Sequence, residues 1–382
     1  MLSTSSSTAA TDKLKTPFKS ILIIGCGFIG KHVAAKLKAM GVERVSATTT
    51  SPNKVDDLLK IVDDVIVIPA VAQEDDTTLK AAIAQHEAIF IAVGPGDSGR
   101  PFSYDDLYVG TALRVVNALK LKRTPTNIGL ISSCGVYGSY AHGELVNENT
   151  PPLKPSSDAK ALIAAEKLLS DAKARAGRGL IKLTILRPTG LWGGQDRDLF
   201  PMVSQASQIG APLPEAMGAG YLSFAHVDDV SGAYVWCVCK GLEGPFNVAS
   251  PSFTRRDFFD TLCDVYQLKK VAWKPAVSGR RSAAAAGAGD GESTAVEADT
   301  RGGNKRVDCS RLLATGYRFE VPDTFQKVYD DQMAWRLSII NRRRKALGEA
   351  LLEGLPGYPG VPPYPGRGEA QTGSSRSAAA GG

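Results

Sequence analysis

The sequence has no long apolar run. No stretch of its 382 residues approaches the roughly eighteen consecutive apolar residues that a membrane-spanning helix needs. This lack predicts a soluble protein. Residues 1–18 are rich in Ser and Thr and lack the apolar centre of a secretory signal, so we interpret them as a disordered tail. We therefore expect a cytoplasmic protein, with a plastid or another organelle as the alternative that the Ser/Thr-rich N-terminus leaves open.

Residues that bind metals are few and scattered. The chain has four histidines, none of them spaced i, i+4, and its six cysteines form no C-x-x-C pair. We expect no metal site, and reduced thiols. The net charge of +6 is mild and comes partly from the basic run at 342–345. We interpret this run as a solvated helix face and expect no nucleic-acid partner, although it could contact nucleic acid or anionic lipid.

A glycine pattern lies close to the start of the sequence, where residues 21–30 read ILIIGCGFIG. The apolar run predicts a buried strand, and the apolar residues that follow repeat at helical spacing. In that context G-x-G-x-x-G indicates a dinucleotide site, because its glycines allow a sharp turn, close approach to a pyrophosphate and tight helix packing. The alternative is a glycine turn without a ligand. The residues assigned to the loop site are Gly25, Cys26, Gly27, Phe28, Ile29 and Gly30.

Strand-like and helical patterns alternate after the glycine loop. This alternation, with nearly continuous apolar strands, predicts an α/β protein with a doubly wound parallel sheet of the Rossmann type. Ligands of such a sheet bind outside the carboxyl ends of its strands. We also assign Val93 and Gly94, where a strand run ends, to the cofactor site. The predicted strands are 44–48, 64–68, 88–93, 127–132 and 182–187, and the predicted helices are 53–61, 75–86, 104–121 and 158–173.

The composition divides the chain into four parts. A disordered tail (1–19) precedes a dinucleotide-binding domain (20–190). The smaller, substrate-binding region (191–340) contains an Ala/Gly/Ser-rich insertion (277–303) that we predict to be disordered. The last part (341–382) is a basic helix end followed by a Pro/Gly-rich tail.

Five segments together resemble the short-chain dehydrogenase/reductase superfamily, in its extended and atypical branch of NAD-dependent epimerase/dehydratase-like proteins. They occur in the family's order, and the resemblance as a whole extends over roughly residues 20–275 and 303–320. The segments are GCGFIG (25–30), SSCGVYG (132–138), LRPTGLWG (186–193), FAHVDDVSGAY (224–234) and FNVASPSFTRRDFFD (246–260).

The resemblance implies roles for individual residues. Ser133 matches the family's catalytic Ser/Thr, which binds a substrate oxygen, although a serine here could also simply cap the strand. Arg187 and Pro188 match the loop whose backbone contacts the nicotinamide. His226 and the two aspartates that follow it suit helix capping and structural hydrogen bonds better than catalysis.

The resemblance fails at the family's Tyr-x-x-x-Lys, whose tyrosine acts as acid or base. At these two positions the chain has Asp158 and Leu162, and neither can do that work. A shifted register would pair Ser156 with Lys160, and we expect Lys160 to face the crevice and contact ribose or phosphate. Lys160 is therefore kept as a catalytic candidate.

Two tyrosines are candidates for a replacement acid. Tyr137 and Tyr140 lie near the crevice by sequence, and Tyr137 is the one assigned to catalysis, although the tyrosine of a VYG motif usually has a structural role. A literal Y-x-x-x-K runs from Tyr266 to Lys270, and we interpret it as a coincidence.

The end of the second predicted strand bears on the choice of cofactor. NAD-selective sites place a carboxylate there, but this chain has Thr49, Thr50 and Ser51, with Lys54 shortly after. Hydroxyl groups and an ammonium suit a 2′-phosphate, so we expect NADP, with NAD as the alternative. The same residues could merely begin a turn and a helix.

Two functions fit these observations. The first is an NADP-dependent oxidoreductase or epimerase that acts on a carbonyl or nucleotide-sugar-like small molecule. The second is a catalytically silent NADP-binding sensor, scaffold or RNA-associated protein. We expect a small-molecule substrate, no membrane partner, and leave a homodimer open.

Overall fold

The structure is a computed structural model. It describes residues 14–69, 76–95, 102–140, 142–194, 197–209, 211–274 and 304–354. The predicted insertion at 277–303 lies outside these residues, as do most of the N-terminal tail and most of the Pro/Gly-rich tail.

A seven-stranded parallel sheet forms the centre of the fold. Its order is β12-β7-β5-β4-β1-β2-β3, which confirms the predicted doubly wound sheet. The strands are β1 Ser20–Ile24, β2 Arg44–Thr49, β3 Asp64–Val67, β4 Ala88–Ile91, β5 Thr126–Ile131, β7 Ile181–Pro188 and β12 Gly244–Val248. The shorter strands are β6 Glu144–Val146, β8 Gly190–Trp192, β9 Leu213–Pro214, β10 Tyr221–Leu222, β11 Phe224–His226, β13 Phe253–Thr254, β14 Trp273–Lys274 and β15 Lys305–Val307.

Helices follow most of the strands. A π-helical turn, Asp105–Val109, leads directly into α4, and short 3-10 turns occupy Pro52–Lys54 and Cys134–Tyr137. The α-helices are α1 Phe28–Ala39, α2 Val55–Leu59, α3 Thr77–Gln85, α4 Gly110–Leu119, α5 Ser157–Arg175, α6 Phe200–Gln208, α7 Glu215–Gly218, α8 Val227–Cys239, α9 Arg255–Tyr266, α10 Ser310–Ala314 and α11 Thr324–Ala346.

The two faces of the sheet are both buried, which explains why its strands read as nearly continuous apolar runs. Side chains of α1 and α8 pack on one face, around Ile21 and Ile23 of β1. Side chains of α3, α4 and α5 pack on the other face, around Leu22 and Ile24. Alternate residues of a single strand thus enter two separate apolar layers.

The chain divides into two compact units. The first unit consists of the described residues of 1–199, 221–252 and 281–322, and it contains the whole parallel sheet. Its strands all end at one edge, so the carboxyl ends of β1, β2, β4, β5 and β7 lie side by side. All of the predicted site residues belong to this unit.

The second unit consists of the described residues of 200–220, 253–280 and 323–382. Its core contains Phe253, which stacks on Phe258 at 5.6 Å and meets Phe325 at 4.8 Å between ring centroids. The literal Y-x-x-x-K lies here: Tyr266 packs edge-on against Phe200, and the Lys270 ammonium pairs with Asp264. The domain boundaries expected from the sequence stay predictions.

Candidate functional site

The glycine loop joins β1 to α1 at the carboxyl edge of the sheet. Gly25 has φ +82°, and a Cβ there would come within 3.0 Å of Val93 backbone atoms, so only glycine fits. A Cβ at Gly30 would stand 3.0 Å from the Gly25 carbonyl oxygen. Gly27 differs from both, because a Cβ there would meet nothing within 4 Å. Gly27 therefore borders open space, as a backbone that approaches a ligand must.

The first turn of α1 is suited to an anion. Its N-cap is Gly27, no side chain caps the first turn, and that turn holds no acidic residue. Backbone N–H groups at such a helix end attract phosphate, since their own partners are missing and the helix dipole adds positive charge. These residues fit the pyrophosphate of a dinucleotide.

Thr48 holds the loop in place. Its hydroxyl accepts from the Gly25 N–H at 3.0 Å, and its carbonyl accepts from the Cys26 N–H at 3.1 Å. Thr48 is buried at the end of β2, so the second strand fixes the conformation of the turn after the first. Cys26 is itself buried, and burial raises the pKa of its thiol to about 12.

The structure brings Val93 against the loop. The Ala92 N–H donates to the Ile24 carbonyl at 2.9 Å, which extends the β1–β4 pairing to the start of the glycine turn. A side chain at position 25 would therefore collide with Val93. Gly94 follows Val93, at the strand end where the sequence places both residues.

The end of β2 presents hydroxyl groups and an ammonium. The Thr49 hydroxyl accepts from the Ser51 N–H at 3.2 Å, so it shapes the turn, while Thr50 and Lys54 are exposed. Ser51 precedes the 3-10 turn but makes no side-chain capping bond. No acidic residue lies between Thr48 and Lys54. This end of β2 can therefore accept a phosphate without a carboxylate that repels it.

Ser133 lies just beyond β5 at the same edge. Its hydroxyl oxygen accepts from the Gly135 N–H at 3.0 Å and caps the 3-10 turn that follows. Its hydroxyl hydrogen is still available to a substrate oxygen, because this capping bond uses only a lone pair. The capping role and the catalytic role are thus compatible.

Tyr137 and Arg187 lie in a buried polar network. The Tyr137 ring is fully buried, and its hydroxyl donates to the Asn247 side chain at 2.6 Å and accepts from Arg187 at 3.1 Å. The guanidinium forms a two-point ion pair with Glu166, at 2.6 and 3.0 Å. Burial raises the pKa of Tyr137 well above its usual range. This placement favours the structural role of Tyr137, and Tyr140 likewise donates its hydroxyl to the Pro151 carbonyl at 2.9 Å.

The same strand end contains the backbone expected to meet the nicotinamide. The Arg187 carbonyl accepts from the Cys134 thiol at 3.0 Å, and Pro188 is buried beside Val248 of β12. The Arg187 side chain is committed to Glu166, so any cofactor contact of Arg187 is left to its backbone.

The start of α5 shows what replaces the expected Tyr-x-x-x-Lys. Leu162 is buried in the core, and Ser156 caps the helix by accepting from the Ala159 N–H at 3.2 Å. Lys160 is exposed, and it lies about 200° round the helix from Asp158, since each residue turns the helix by roughly 100°. These two side chains therefore occupy different faces of α5.

Two residues near the candidate site escaped the sequence analysis. Tyr108, in the π-helical turn, is only 8% exposed, and its hydroxyl oxygen lies 3.8 Å from the Cβ position at Gly94. Arg197, exposed after β8, places its guanidinium 5.2 Å from the centre of the Phe28 ring in the first turn of α1. The only available signal was the presence of tyrosines before α4, which does not indicate where they point.

The sheet order, the glycine loop and the strand ends define the class: this is an NAD(P)-binding Rossmann protein of the short-chain dehydrogenase/reductase type. The chain belongs to the NAD dependent epimerase/dehydratase family, whose family model matches residues 21–249. This match confirms the resemblance read from the five sequence segments. A search of curated proteins finds no match.

Solved structures of epimerases share the fold. UDP-glucose 4-epimerase from Thermotoga maritima, solved with UDP-glucose, is 17% identical with a TM-score of 0.61, over 84% of this chain and 99% of that one. The Thermus thermophilus UDP-glucose 4-epimerase complex with NAD is 19% identical with a TM-score of 0.59, over 81% and 96%. UDP-glucuronic acid 4-epimerase from Bacillus cereus, in complex with NAD, is 17% identical with a TM-score of 0.57, over 82% and 96%. At these identities the likeness establishes the fold alone.

No helix in the described part of the chain combines the length and the apolar character that crossing a bilayer requires.

Proposed function

We propose that the protein binds NADP and catalyses oxidation–reduction or epimerisation of a carbonyl or nucleotide-sugar-like substrate. The observation that carries the proposal is the open face of Gly27 at the uncapped start of α1. The family membership and the UDP-sugar epimerases that share the fold support the substrate class. The bound nicotinamide would supply or take up hydride.

The chain's own residues would orient the reactants. The loop N–H groups would hold the pyrophosphate, and Thr50, Ser51 and Lys54 would meet the 2′-phosphate. The Ser133 hydroxyl would donate to the substrate oxygen while its lone pair keeps the Gly135 bond. Buried strands beneath these groups keep water from one side of the site.

Gly27→Trp tests cofactor binding. A Cβ at Gly27 would meet no atom within 4 Å, so the variant should fold. We expect the indole to occupy the space of the pyrophosphate and to weaken NADPH binding by at least about 100-fold, measured by titration of nicotinamide fluorescence. Gly27→Ala is the matched control, and it should lose far less. Equal binding by the tryptophan variant and wild type would contradict the assignment of the loop.

Lys54→Glu tests the choice of NADP over NAD. Replacing the ammonium by a carboxylate should weaken NADPH binding by about 10- to 100-fold, since it exchanges attraction of the 2′-phosphate for repulsion. NADH binding should change little. Lys182→Glu makes the same charge change at the amino end of β7, the opposite edge of the sheet, and is the control. Tighter binding of NADH than NADPH by wild type would refute the preference.

A silent NADP-binding protein is the second candidate, and it is favoured by the lack of Tyr-x-x-x-Lys at the family's position in α5. Two assays on wild type and Ser133→Ala separate the two functions: NADPH oxidation with carbonyl substrates, and formation of the epimer from nucleotide sugars, which consumes no cofactor. Turnover that Ser133→Ala loses supports the enzyme. Tight NADPH binding without turnover supports the silent protein.

A further inference from the structure

Tyr108 owes its position to an irregular turn. Residues Asp105–Val109 form a π-helical turn immediately before α4, and such turns often mark functional sites because they rotate a side chain out of the regular helical register. The Tyr108 ring stacks on Tyr104, with centroids 5.2 Å apart and planes at 30°. It is packed in the apolar layer that α4 and α5 share. The ring is therefore fixed, and only its far end reaches the strand edge.

The hydroxyl of Tyr108 lies near the carboxyl end of β4. It is 3.8 Å from the Cβ position at Gly94, which follows that strand. Ile91 of β4 pairs with Leu130 of β5 in parallel register, and Ser133 follows β5. The Tyr108 hydroxyl and Ser133 therefore lie at the same edge of the sheet, beyond the ends of neighbouring strands.

This hydroxyl has no hydrogen-bond partner among the residues that the structure describes. Two other buried tyrosines of the first unit use theirs, since Tyr137 donates to Asn247 and Tyr317 donates to the Asp229 carbonyl at 2.8 Å, whereas the fully buried Tyr234 hydroxyl is unpaired among the described residues. A phenol that is more than nine-tenths buried normally satisfies its hydroxyl, because an unpaired polar group costs about 1–3 kcal/mol. The Tyr108 hydroxyl therefore keeps a proton that none of the described residues accepts.

We propose that Tyr108 exchanges the proton with the substrate oxygen, from the α4 side of the crevice, in place of the tyrosine that α5 lacks. The inference rests on the proposed function. In the reducing direction the substrate carbon gains hydride, its C=O π bond opens, and the oxygen forms an O–H bond with the Tyr108 proton. The phenolate that remains regains a proton from solvent. The oxidising direction reverses each transfer.

The charges around Tyr108 suit a proton donor whose pKa a bound ligand can change. Burial raises the pKa of Tyr108, Tyr104 adds to the rise, Arg197 opposes it, and Asp158 adds a smaller rise. Tyr108 therefore stays protonated near neutral pH and can donate. Asp158, which occupies the position of the family's tyrosine, is thus near enough to Tyr108 to affect its pKa.

The deciding experiment compares phenolate titration in wild type and Tyr108→Phe, followed by ultraviolet absorbance of the phenolate from neutral to strongly alkaline pH. The variant removes a single oxygen and keeps the stacked ring, so it should fold. We expect the wild-type-minus-variant difference to show one phenol that titrates at least about one pH unit lower with saturating NADP⁺ than without it, since the nicotinamide positive charge favours phenolate. Tyr104→Phe, just before the same turn, is the control and should retain that titration.

Cofactor binding separates the two claims. If wild type fails to bind NADPH or NADP⁺ in a fluorescence and calorimetric titration, the proposed function fails, and the inference fails with it. If wild type and Tyr108→Phe bind the cofactor equally and the difference curve is the same with and without NADP⁺, the inference alone is overturned. With a turned-over substrate, Tyr108→Phe should lower kcat by about 100- to 10,000-fold with little change in KM. An unchanged kcat would also overturn it.

Discussion

Single residues in the first unit carry charges that the fold has taken out of water. Asp229, on α8, is buried, and its carboxylate accepts from the N–H groups of Glu320 at 2.6 Å and Val321 at 3.2 Å. Burial raises the pKa of Asp229 to about 7 even though both bonds oppose the rise. The side chain therefore holds the segment after α10 in place, and it also makes the stability of the fold depend on pH.

The sign of this pH dependence follows from the raised pKa. In the unfolded chain Asp229 ionises near its ordinary value of about 3.9, so between that pH and about 7 the folded protein holds the extra proton. The contribution of this protonation to the free energy of unfolding is complete below about pH 4 and is lost as the pH rises to about 7.

Asp229→Asn removes the titration and keeps an oxygen that can accept both N–H groups. We expect the free energy of unfolding of wild type, relative to this variant, to fall with rising pH by up to about 1.4 kcal/mol per pH unit between about pH 5 and 7. Above about pH 7 the difference should level off. Urea unfolding at a series of pH values across this range measures it, and a difference that stays constant would contradict the assignment.

At the scale of elements, β5 and α8 pack so closely at Gly129 that this position has no room for a side chain. A Cβ at Gly129 would stand 2.2 Å from the Tyr234 ring of α8 and 2.8 Å from the Phe90 ring of β4. These two rings face each other with centroids 4.1 Å apart. Glycine in the middle of a central strand, which weakens strands in general, is here the residue that lets the helix approach.

Gly129→Ala should therefore destabilise the protein by about 1–3 kcal/mol, since the added methyl forces buried rings out of place. Thermal and urea unfolding measure the loss. The double variant Gly129→Ala with Tyr234→Leu should recover part of it by removing the ring. If Gly129→Ala alone were neutral, α8 would not pack as closely as described.

The elements that the sequence predicted are those with local causes. The alternating strands and helices and the glycine turn follow from apolar periods and from glycines a few residues apart, and all are present. Tyr108 could not be predicted, because its place depends on a π-helical turn and on the register that carries Gly94 to it. The buried network of Tyr137, Arg187 and Glu166 joins three distant segments, so no local pattern reveals it.

On the scale of the whole molecule, the candidate site belongs to the first unit and the basic run at 342–345 to the second. Arg342, Arg343 and Lys345 are exposed at the end of α11, whereas Arg344 pairs with Glu349 at 3.1 Å. The helix dipole favours cations at a helix C-terminus, so it stabilises these side chains at the end of α11.

Replacing Arg342, Arg343 and Lys345 together by glutamine should leave NADPH binding unchanged within about twofold, since the glycine loop proposed to hold the pyrophosphate belongs to the first unit and these side chains belong to the second. Fluorescence titration measures it, with circular dichroism as the check that α11 persists. A larger loss of binding would mean that the basic run takes part in cofactor binding, contrary to the assignment.

The short parallel pair of β6 and β15 has a consequence for the order of folding. Lys305 donates to the Gly138 carbonyl at 3.1 Å across 167 residues, and the Asn247 side chain donates to the Asp308 carbonyl at 2.9 Å. Pairings this far apart in the chain close slowly, because the entropy of a long loop must be lost before any bond forms. During synthesis the sheet from β1 to β12 emerges well before Lys305, so the nascent chain lacks the bonds from Lys305 to Gly138 and from Asn247 to Asp308 until that segment has been made.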